Sequence, residues 1–342
     1  MKILFLILIF LVNTIWGFES YNYVNKNYHI TQEKDLIKKY KVTISPHFQK
    51  QKLQYFTSFD GLQIAYKIFK VQNPKATLLI SSGRTEGMVK YKELIYDLNQ
   101  NGYSVYILDH RGQGYSQRLL ADPQIGYVED FLDYVRDLRV FVKTIVKNHK
   151  KFILIGHSMG GAIASLYVET YRKDFDALVL SSPMHQPELI SKNLTKRVCK
   201  FVEKREKNNN YIIGEKPYDE GRVDFEENLL THSKVRYELE NLAYQMEPQV
   251  KIGGPSVHWI AEACKGSAMS VELARNIEIP VLLMQASADK IVNLQPQNEF
   301  CKNVGNQCRG IVIEKAYHEL FVEKDLLRNK ALSAMLDFIS KI

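Results

Sequence analysis

The sequence has four cysteines among 342 residues, no internal repeat and no low-complexity tract. None of these cysteines lies in a Cys-x-x-Cys pair near histidines, so a zinc site is not expected, and no cofactor motif is present. Because 45% of the residues are hydrophobic and 25% are charged, the composition also excludes a disordered chain. The length fits one large catalytic domain with an insertion and a leader.

The first seventeen residues carry one positive charge, Lys2, followed by an apolar stretch too short to span a bilayer comfortably. This pattern predicts a signal peptide cleaved before Phe18. Ile15 departs from the small-x-small cleavage rule, so an uncleaved short membrane anchor stays open. Either reading predicts a chain that is exported to the periplasm or secreted, or that is peripherally associated with a membrane.

The four cysteines permit disulfides in such a compartment without fixing their pairing. Cys301 and Cys308 are close enough to close a small loop, and this bridge is one alternative. The formal net charge of +8 would attract the chain to anionic lipid surfaces. Since the basic residues are scattered and opposed by many carboxylates, nucleic acid is not the expected partner.

The rest of the chain alternates between apolar runs and amphipathic stretches, the pattern of an α/β fold. Asp60 and Gly61 separate two runs that predict an antiparallel hairpin. The predicted strands are Lys52–Ser58, Leu62–Phe69, Ala76–Ser81, Ser104–Leu108, Phe152–Ile155, Ala177–Leu180, Val281–Gln285 and Gly310–Glu314. The predicted helices are Tyr91–Asn99, Tyr127–Asn148, Ala162–Tyr171 and Lys324–Ile342. We therefore predict a doubly wound, mostly parallel sheet.

Residues 184–276 interrupt this alternation and are rich in Lys, Asn, Glu and aromatic residues. They predict a helical cap inserted over the strand ends, with the core formed by residues 51–183 and 277–342. Residues 18–50 are polar and Lys-rich, which predicts a loosely attached N-terminal arm. Apolar cap residues could line an apolar tunnel or form the cap's own core: Tyr211, Tyr218, Phe225, Tyr237, Tyr244, Met246 and Trp259.

The run Gly156-His157-Ser158-Met159-Gly160 lies between a predicted strand and a helix-forming stretch. This is the context of a nucleophile elbow, in which a serine hydroxyl projects from a sharp turn. The flanking glycines would let the backbone pass this turn without a Cβ clash. Ser158 is thus the candidate nucleophile of an acyl-transfer enzyme, and His157 is assigned to packing.

Such chemistry requires an acid and a base that follow the nucleophile in the chain. Asp289 comes just after one strand, and His318 follows the last strand, so both are expected at the same sheet edge as Ser158. Glu314 and Glu319 are weaker alternatives for the acid because neither ends an earlier strand.

Donors for the developing oxyanion are expected from two backbone N–H groups. Met159 supplies one at the start of its helix, and Arg84, in the glycine-containing loop after the strand Ala76–Ser81, is the choice for the second. Alternatively, Gly83 and Gly87 only permit turns, and the Arg84 guanidinium pairs with a surface carboxylate.

These residues resemble α/β-hydrolases of the monoacylglycerol lipase and serine aminopeptidase branch, from about Phe56 to the C-terminus. Two runs carry that resemblance, Gly156–Gly161 and Asp109–Ser116. A narrower similarity to bacterial lysophospholipases that also transfer acyl groups between lysolipids rests on five further runs: Gly83–Glu86, Arg118–Pro123, Leu230–Ser233, Gly253–Trp259 and Ala316–Glu319.

The resemblance implies an α/β-hydrolase fold, a Ser158, His318 and Asp289 triad, and the Arg84 and Met159 amides at the oxyanion hole. It implies hydrolysis of a lysophospholipid or another monoacyl lipid. Ser82-Gly83 replaces the His-Gly that monoacylglycerol lipases usually carry, which weakens the monoglyceride assignment. A monoacylglycerol lipase or other esterase or aminopeptidase stays the alternative, and a non-catalytic binding protein is the remote one.

Overall fold

The computed structural model describes residues 18–21, 28–147, 149–189, 192–204, 209–218 and 223–342. The predicted leader, residues 1–17, lies outside them. The strands are β1 Glu19–Ser20, β2 Gln54–Thr57, β3 Gln63–Phe69, β4 Thr77–Ser81, β5 Ser104–Leu108, β6 Phe152–His157, β7 Ala177–Ser181, β8 Val281–Ala286 and β9 Cys308–Ile313. In these described ranges they form one nine-stranded sheet in the order β1-β9-β8-β7-β6-β4-β5-β3-β2.

Strands β4 to β9 pair in parallel, and each is predominantly apolar because its two faces are both covered. The strands β2 and β3 form the antiparallel hairpin predicted around Asp60 and Gly61, and β3 pairs antiparallel with β5. The predicted doubly wound, mostly parallel sheet is confirmed. The short strand β1, which pairs in parallel with β9, was not predicted.

Helices cover both faces of this sheet. They are α1 Glu33–Lys39, α2 Ser45–Gln49, α3 Lys92–Gln100, α4 Leu132–Thr144, α5 Met159–Thr170, α6 Lys192–Glu203, α7 Lys234–Met246, α8 Val257–Glu272, α9 Leu294–Val304 and α10 Asp325–Ile339. The prediction for α4 began too early, at Tyr127, and its last residue, Asn148, lies outside the described residues. Over the described parts of the chain, no helix is both long and apolar enough to cross a membrane.

The two faces of the sheet bury two separate hydrophobic cores. In β6, Leu154 joins one core with α4, α5 and α8, whereas Ile153 and Ile155 join the other with α3 and α10. This alternation follows from the two-residue period of a strand. Because β6, β7, β8 and β9 pair in parallel, their carboxyl ends lie along one edge of the sheet, where the candidate site forms.

The segment between β7 and β8 contains α6, α7 and α8. Helix α8 packs against α5 and α9 of the core, and α6 packs against α8. A disulfide between Cys199 and Cys264 joins α6 to α8, a pairing that the sequence did not predict. The expected Cys301 to Cys308 bridge is present between α9 and β9. The boundaries of the cap, residues 184–276, stay a prediction.

The expectation of a loosely attached arm is wrong for residues 28–50. Helix α1 continues through a π-helical segment, Tyr40–Ile44, into α2. Leu36, Tyr40 and Ile44 are buried together against Leu239 of α7. Their spacing of four residues is helical, so the apolar stripe was readable behind the polar composition.

Glu169, on α5, has a buried carboxyl group. Neither of its oxygens makes a hydrogen bond to any described residue. Burial raises the pKa of Glu169 from 4.5 to about 9. Between these two values the unfolded chain releases the proton while the folded chain keeps it. The free energy of unfolding therefore falls as the pH rises through this range.

We expect the substitution Glu169→Gln to remove this dependence. The stability of Glu169→Gln relative to the native chain should increase steadily from about pH 5 to pH 9. Urea unfolding across that range measures the difference, and Glu299→Gln, at an exposed position of α9, is the matched control. A constant difference between Glu169→Gln and the native chain would contradict an uncharged Glu169.

Candidate active site

Ser158 occupies a tight turn between the end of β6 and the start of α5. Its own backbone adopts φ +52° and ψ −120°, a conformation that is strained for a residue with a side chain. As expected, the flanking glycines avoid Cβ clashes: a Cβ on Gly160 would overlap the Ser81 carbonyl, and one on Gly156 would lie 2.6 Å from the Gly160 oxygen. The positive φ, however, falls on Ser158 and not on either glycine.

The Ser158 hydroxyl belongs to a continuous hydrogen-bonded chain of three buried side chains. Its Oγ lies 2.9 Å from Nε2 of His318, and Nδ1 of His318 lies 2.7 Å from Oδ2 of Asp289. The structure thus brings together the three residues that the sequence singled out. An imidazole bridged in this way can accept a proton from the serine and be held in one tautomer by the carboxylate.

Asp289 is held in place by the backbone that follows β8. Its Oδ1 accepts hydrogen bonds from the amides of Ile291 at 2.8 Å and Val292 at 3.1 Å, which leaves Oδ2 directed at His318. Of the two alternative acids, Glu314 is exposed and Glu319 pairs with a lysine. Within the described residues, Asp289 is the carboxylate bonded to His318.

The two predicted oxyanion donors lie on loops at the same sheet edge. The amide of Met159 opens α5 directly after Ser158, and the amide of Arg84 lies in the loop that follows β4. Neither amide has a hydrogen-bond partner among the residues that the structure describes. Both are therefore available to a developing negative charge.

The loop that carries Arg84 is fixed by side chains that the sequence did not single out. The Gln113 side-chain amide donates to the carbonyl oxygens of Gly83, at 2.8 Å, and Glu86, at 2.9 Å. The Glu86 carboxylate accepts a hydrogen bond from the Gly83 backbone amide at 2.5 Å. Thr85 adopts φ +60° in this loop. These contacts consequently hold the loop that carries Arg84 in one conformation.

A buried cluster of charges lies directly behind this loop and beside His318. Lys90 Nζ is 2.5 Å from Oε1 of Glu86, 2.5 Å from Oε1 of Glu319 and 3.7 Å from Oε1 of Glu240. His157 Nε2 lies 3.3 Å from Oε2 of Glu319. The assignment of His157 to simple packing is therefore wrong, because its ring faces a carboxylate.

The charges of this cluster stabilise one another. Burial alone lowers the pKa of Lys90, but Glu240, Glu319 and Glu86 raise it well above its usual range. For Glu319, burial raises the pKa, and the positive charges of Lys90 and His157 bring it well below the usual value. Burial lowers the pKa of His157, yet the neighbouring carboxylates leave it raised. Lys90 thus ties the oxyanion loop to the loop of His318.

Three of these residues, Glu86, His157 and Glu319, have donor atoms close enough together to hold a metal ion. No other such group occurs in the described part of the chain. Lys90 already lies at hydrogen-bonding distance from two of the three, so a cation would have to displace a fully engaged ammonium group. The chemistry of this donor set favours the lysine.

The substitution Lys90→Met should strongly destabilise the fold. It keeps the volume of the side chain but removes the lysine charge from the buried Glu86 and Glu319 carboxylates, which leaves His157 to face both and costs about 3–5 kcal/mol. Urea unfolding measures the loss. Adding Glu319→Gln should recover part of it, so that the double variant loses less than the two single variants together. Additive losses would contradict a direct coupling of the two charges.

Comparisons with known proteins show the family to which this chain belongs. Residues 72–325 match the family described as serine aminopeptidase, S33. Lysophospholipase L2 of Escherichia coli strain K12 is 36% identical over 300 residues, which cover 84% of this chain and 86% of that protein. Monoglyceride lipase of Mus musculus is 28% identical over 85% of this chain and 91% of its own length.

Solved structures match the fold. A soluble variant of monoglyceride lipase from Saccharomyces cerevisiae, in complex with a substrate analog, superposes with a TM-score of 0.67 at 21% identity, covering 85% of this chain and 96% of that one. The monoacylglycerol lipase of Paleococcus ferrophilus gives a TM-score of 0.64 at 19% identity. The predicted α/β-hydrolase fold is thereby confirmed.

Proposed function

This chain belongs to the serine aminopeptidase S33 family of hydrolases, and we propose that it is a lysophospholipase with Ser158 as its nucleophile. The observation that carries the proposal is the hydrogen-bonded chain from Ser158 through His318 to Asp289. The substrate class is supported by the 36% identity with lysophospholipase L2, which extends over most of both chains.

In the first half of the reaction, Ser158 Oγ attacks the carbonyl carbon of the fatty-acyl ester while Nε2 of His318 takes its proton. The ester bond then breaks, and His318 gives that proton to the departing glycerol oxygen. The acyl group remains bonded to Ser158. Asp289 stabilises the imidazolium that exists between the two proton transfers.

In the second half, a water molecule takes the place of the departed alcohol. His318 removes a proton from the water as it attacks the acyl carbon, and returns the proton to Ser158 Oγ as the fatty acid leaves. If the hydroxyl of a second lysolipid attacks instead of water, the acyl group passes to that lysolipid. Acyl transfer therefore requires no further residue.

Both halves pass through a tetrahedral intermediate with negative charge on the former carbonyl oxygen. In this proposal the amides of Arg84 and Met159 donate to that oxygen, and each such donor typically contributes about 3–4 kcal/mol to the stabilisation of the transition state. Because Gln113 and Glu86 fix the Arg84 loop, little reorganisation is needed as charge develops.

The cap, the leader and the location are part of the proposal. In this proposal residues 184–276 cover the acyl chain; of the residues proposed to line it, Tyr237, Tyr244 and Trp259 are buried and Met246 is exposed. The apolar leader and the net charge of +8 support an exported or peripherally membrane-associated enzyme.

The test is fatty-acid release by the purified chain from lysophosphatidylcholine and from monoacylglycerol of the same chain length, side by side. We expect faster release from the lysophospholipid. Faster release from monoacylglycerol would move the assignment to a neutral-lipid lipase, the class of the monoglyceride lipase relatives. Release from neither would overturn the lipid assignment and leave aminopeptidase or short-ester substrates.

A further inference from the structure

We propose that the guanidinium of Arg84 binds the phosphate of the lysophospholipid substrate. One residue would then contact the acyl oxygen through its backbone amide and the head group through its side chain. This inference rests on the proposed function and names a residue that selects its substrate. The backbone amide of Arg84 serves the oxyanion, and its side chain extends from the same loop towards the residues that precede α8.

Most of the hydrogen-bonding capacity of this guanidinium is unused. Nη2 donates to the carbonyl oxygen of Gly253 at 3.0 Å. Nε is buried and has no partner, and Nη1 makes no hydrogen bond to any described residue. A buried donor without an acceptor is costly and rare in folded proteins. The side chain is therefore built to accept a partner that the protein itself does not provide.

The charge of Arg84, a partly buried residue, is also uncompensated, in contrast to that of the fully buried arginines. Arg111, Arg236 and Arg328 each lie within 3.0 Å of at least one carboxylate oxygen. Among the described residues, Arg84 has no carboxylate within 4 Å, so the predicted alternative of a surface ion pair is wrong. Glu215 acts on it only from a greater distance.

Arg84 nevertheless stays charged at neutral pH. Burial lowers its pKa to about 10, with Glu215 opposing the shift. A buried cation that remains ionised without a counterion is unfavourable unless an anion binds beside it. A phosphodiester supplies one negative charge and several acceptor oxygens, which match the planar fork of a guanidinium.

The side chain is held in a fixed position. Its guanidinium carbon lies 5.0 Å from the centre of the Trp259 ring, and the Trp259 indole N–H donates to the Tyr134 hydroxyl at 3.0 Å. Gly126 leaves room for it, because a Cβ there would lie 3.3 Å from Nη2. Since the guanidinium is positioned in advance, binding an anion costs little side-chain entropy.

The dimensions of substrate and residue correspond. In a 1-acyl lysophospholipid, the carbonyl carbon is separated from phosphorus by as many covalent bonds as separate the backbone nitrogen of arginine from its guanidinium carbon. An ester oxygen bound at the Arg84 amide can therefore place the phosphate near the Arg84 side chain. A monoacylglycerol has no anion at that distance.

Binding to the catalytically blocked Ser158→Ala variant tests the inference independently of turnover. The two probes are an ether-linked lysophosphatidylcholine and the matching alkylglycerol, with chains short enough to stay monomeric. Calorimetry should show that adding Arg84→Gln weakens binding of the phospholipid about 10- to 100-fold and that of the alkylglycerol far less. Arg84→Lys keeps the charge but loses the planar guanidinium, so its affinity for the phospholipid should lie between those measured with arginine and with glutamine at this position.

Arg118→Gln is the matched control, because Arg118 also has no carboxylate partner among the described residues but donates to the carbonyl oxygens of Gly112, Gln249 and Lys251. It should not change the ratio of the two affinities. Equal weakening of both probes by Arg84→Gln, or no weakening, would overturn the inference. Selective weakening without lysophospholipid hydrolysis by the native chain would overturn the proposed reaction and leave the phosphate site standing.

Discussion

Ser158→Ala should lower kcat for lysophosphatidylcholine about 10⁶-fold, since nucleophile and base act as a unit and the remaining oxyanion donors give only residual catalysis. The hydroxyl is the atom bonded to His318, so its loss removes the nucleophile without altering the packing of the elbow. Fatty-acid release under saturating substrate measures the change.

The folded state should be preserved in this variant. Alanine meets the same strain as serine at φ +52°, so the thermal unfolding midpoint should be close to that of the native chain. Ser165→Ala is the control, because Ser165 is a buried serine of α5, the helix that follows Ser158, and its hydroxyl donates to the Gly161 carbonyl. Substantial activity in folded Ser158→Ala would remove Ser158 from the mechanism.

Asp289→Asn should lower kcat about 10⁴-fold, less than the loss of Ser158. An amide at this position can donate to Nδ1 of His318, which favours the tautomer whose Nε2 carries the proton and cannot accept one from Ser158. The substitution also removes the negative charge that stabilises the imidazolium. Steady-state kinetics at neutral pH measures the effect.

Glu314→Gln is the matched control for Asp289→Asn. Glu314 directly follows β9, close in sequence to His318, and was the alternative acid, but it is exposed. Its substitution should change kcat by less than about twofold, as is usual for a surface position. An active Asp289→Asn combined with an inactive Glu314→Gln would reverse the assignment of the acid.

The parallel strands could be predicted because strands that are buried on both faces consist of short, uninterrupted apolar runs. The catalytic candidates followed from chain order, since Asp289 and His318 each come after a strand whose carboxyl end lies at the same edge of the sheet as that of β6. Local patterns and a simple topological rule were sufficient for both.

The features that were missed depend on contacts between distant segments. The Cys199 to Cys264 bridge exists because α6 packs on α8, and no spacing in the sequence specifies that contact. Similarly, Glu86 and Lys90 are four residues apart in the sequence, but the ion pair of Lys90 with Glu319 arises only when β4 and β9 lie in one sheet.

The N-terminal helices show a different kind of miss. The polar composition of residues 18–50 suggested a loose arm, although Leu36, Tyr40 and Ile44 repeat at the helical interval. Composition averaged over the segment concealed a stripe that occupies one face only. Periodicity was the better guide at this position.

The central claim is that Ser158 is the residue acylated by a lysophospholipid. It is tested most directly by a fluorophosphonate analogue of lysophosphatidylcholine, followed by peptide mass spectrometry of the modified chain. We expect one adduct, on Ser158, formed in step with loss of activity and absent from Ser158→Ala. An adduct on a different residue, or complete inactivation without modification of Ser158, would contradict the account.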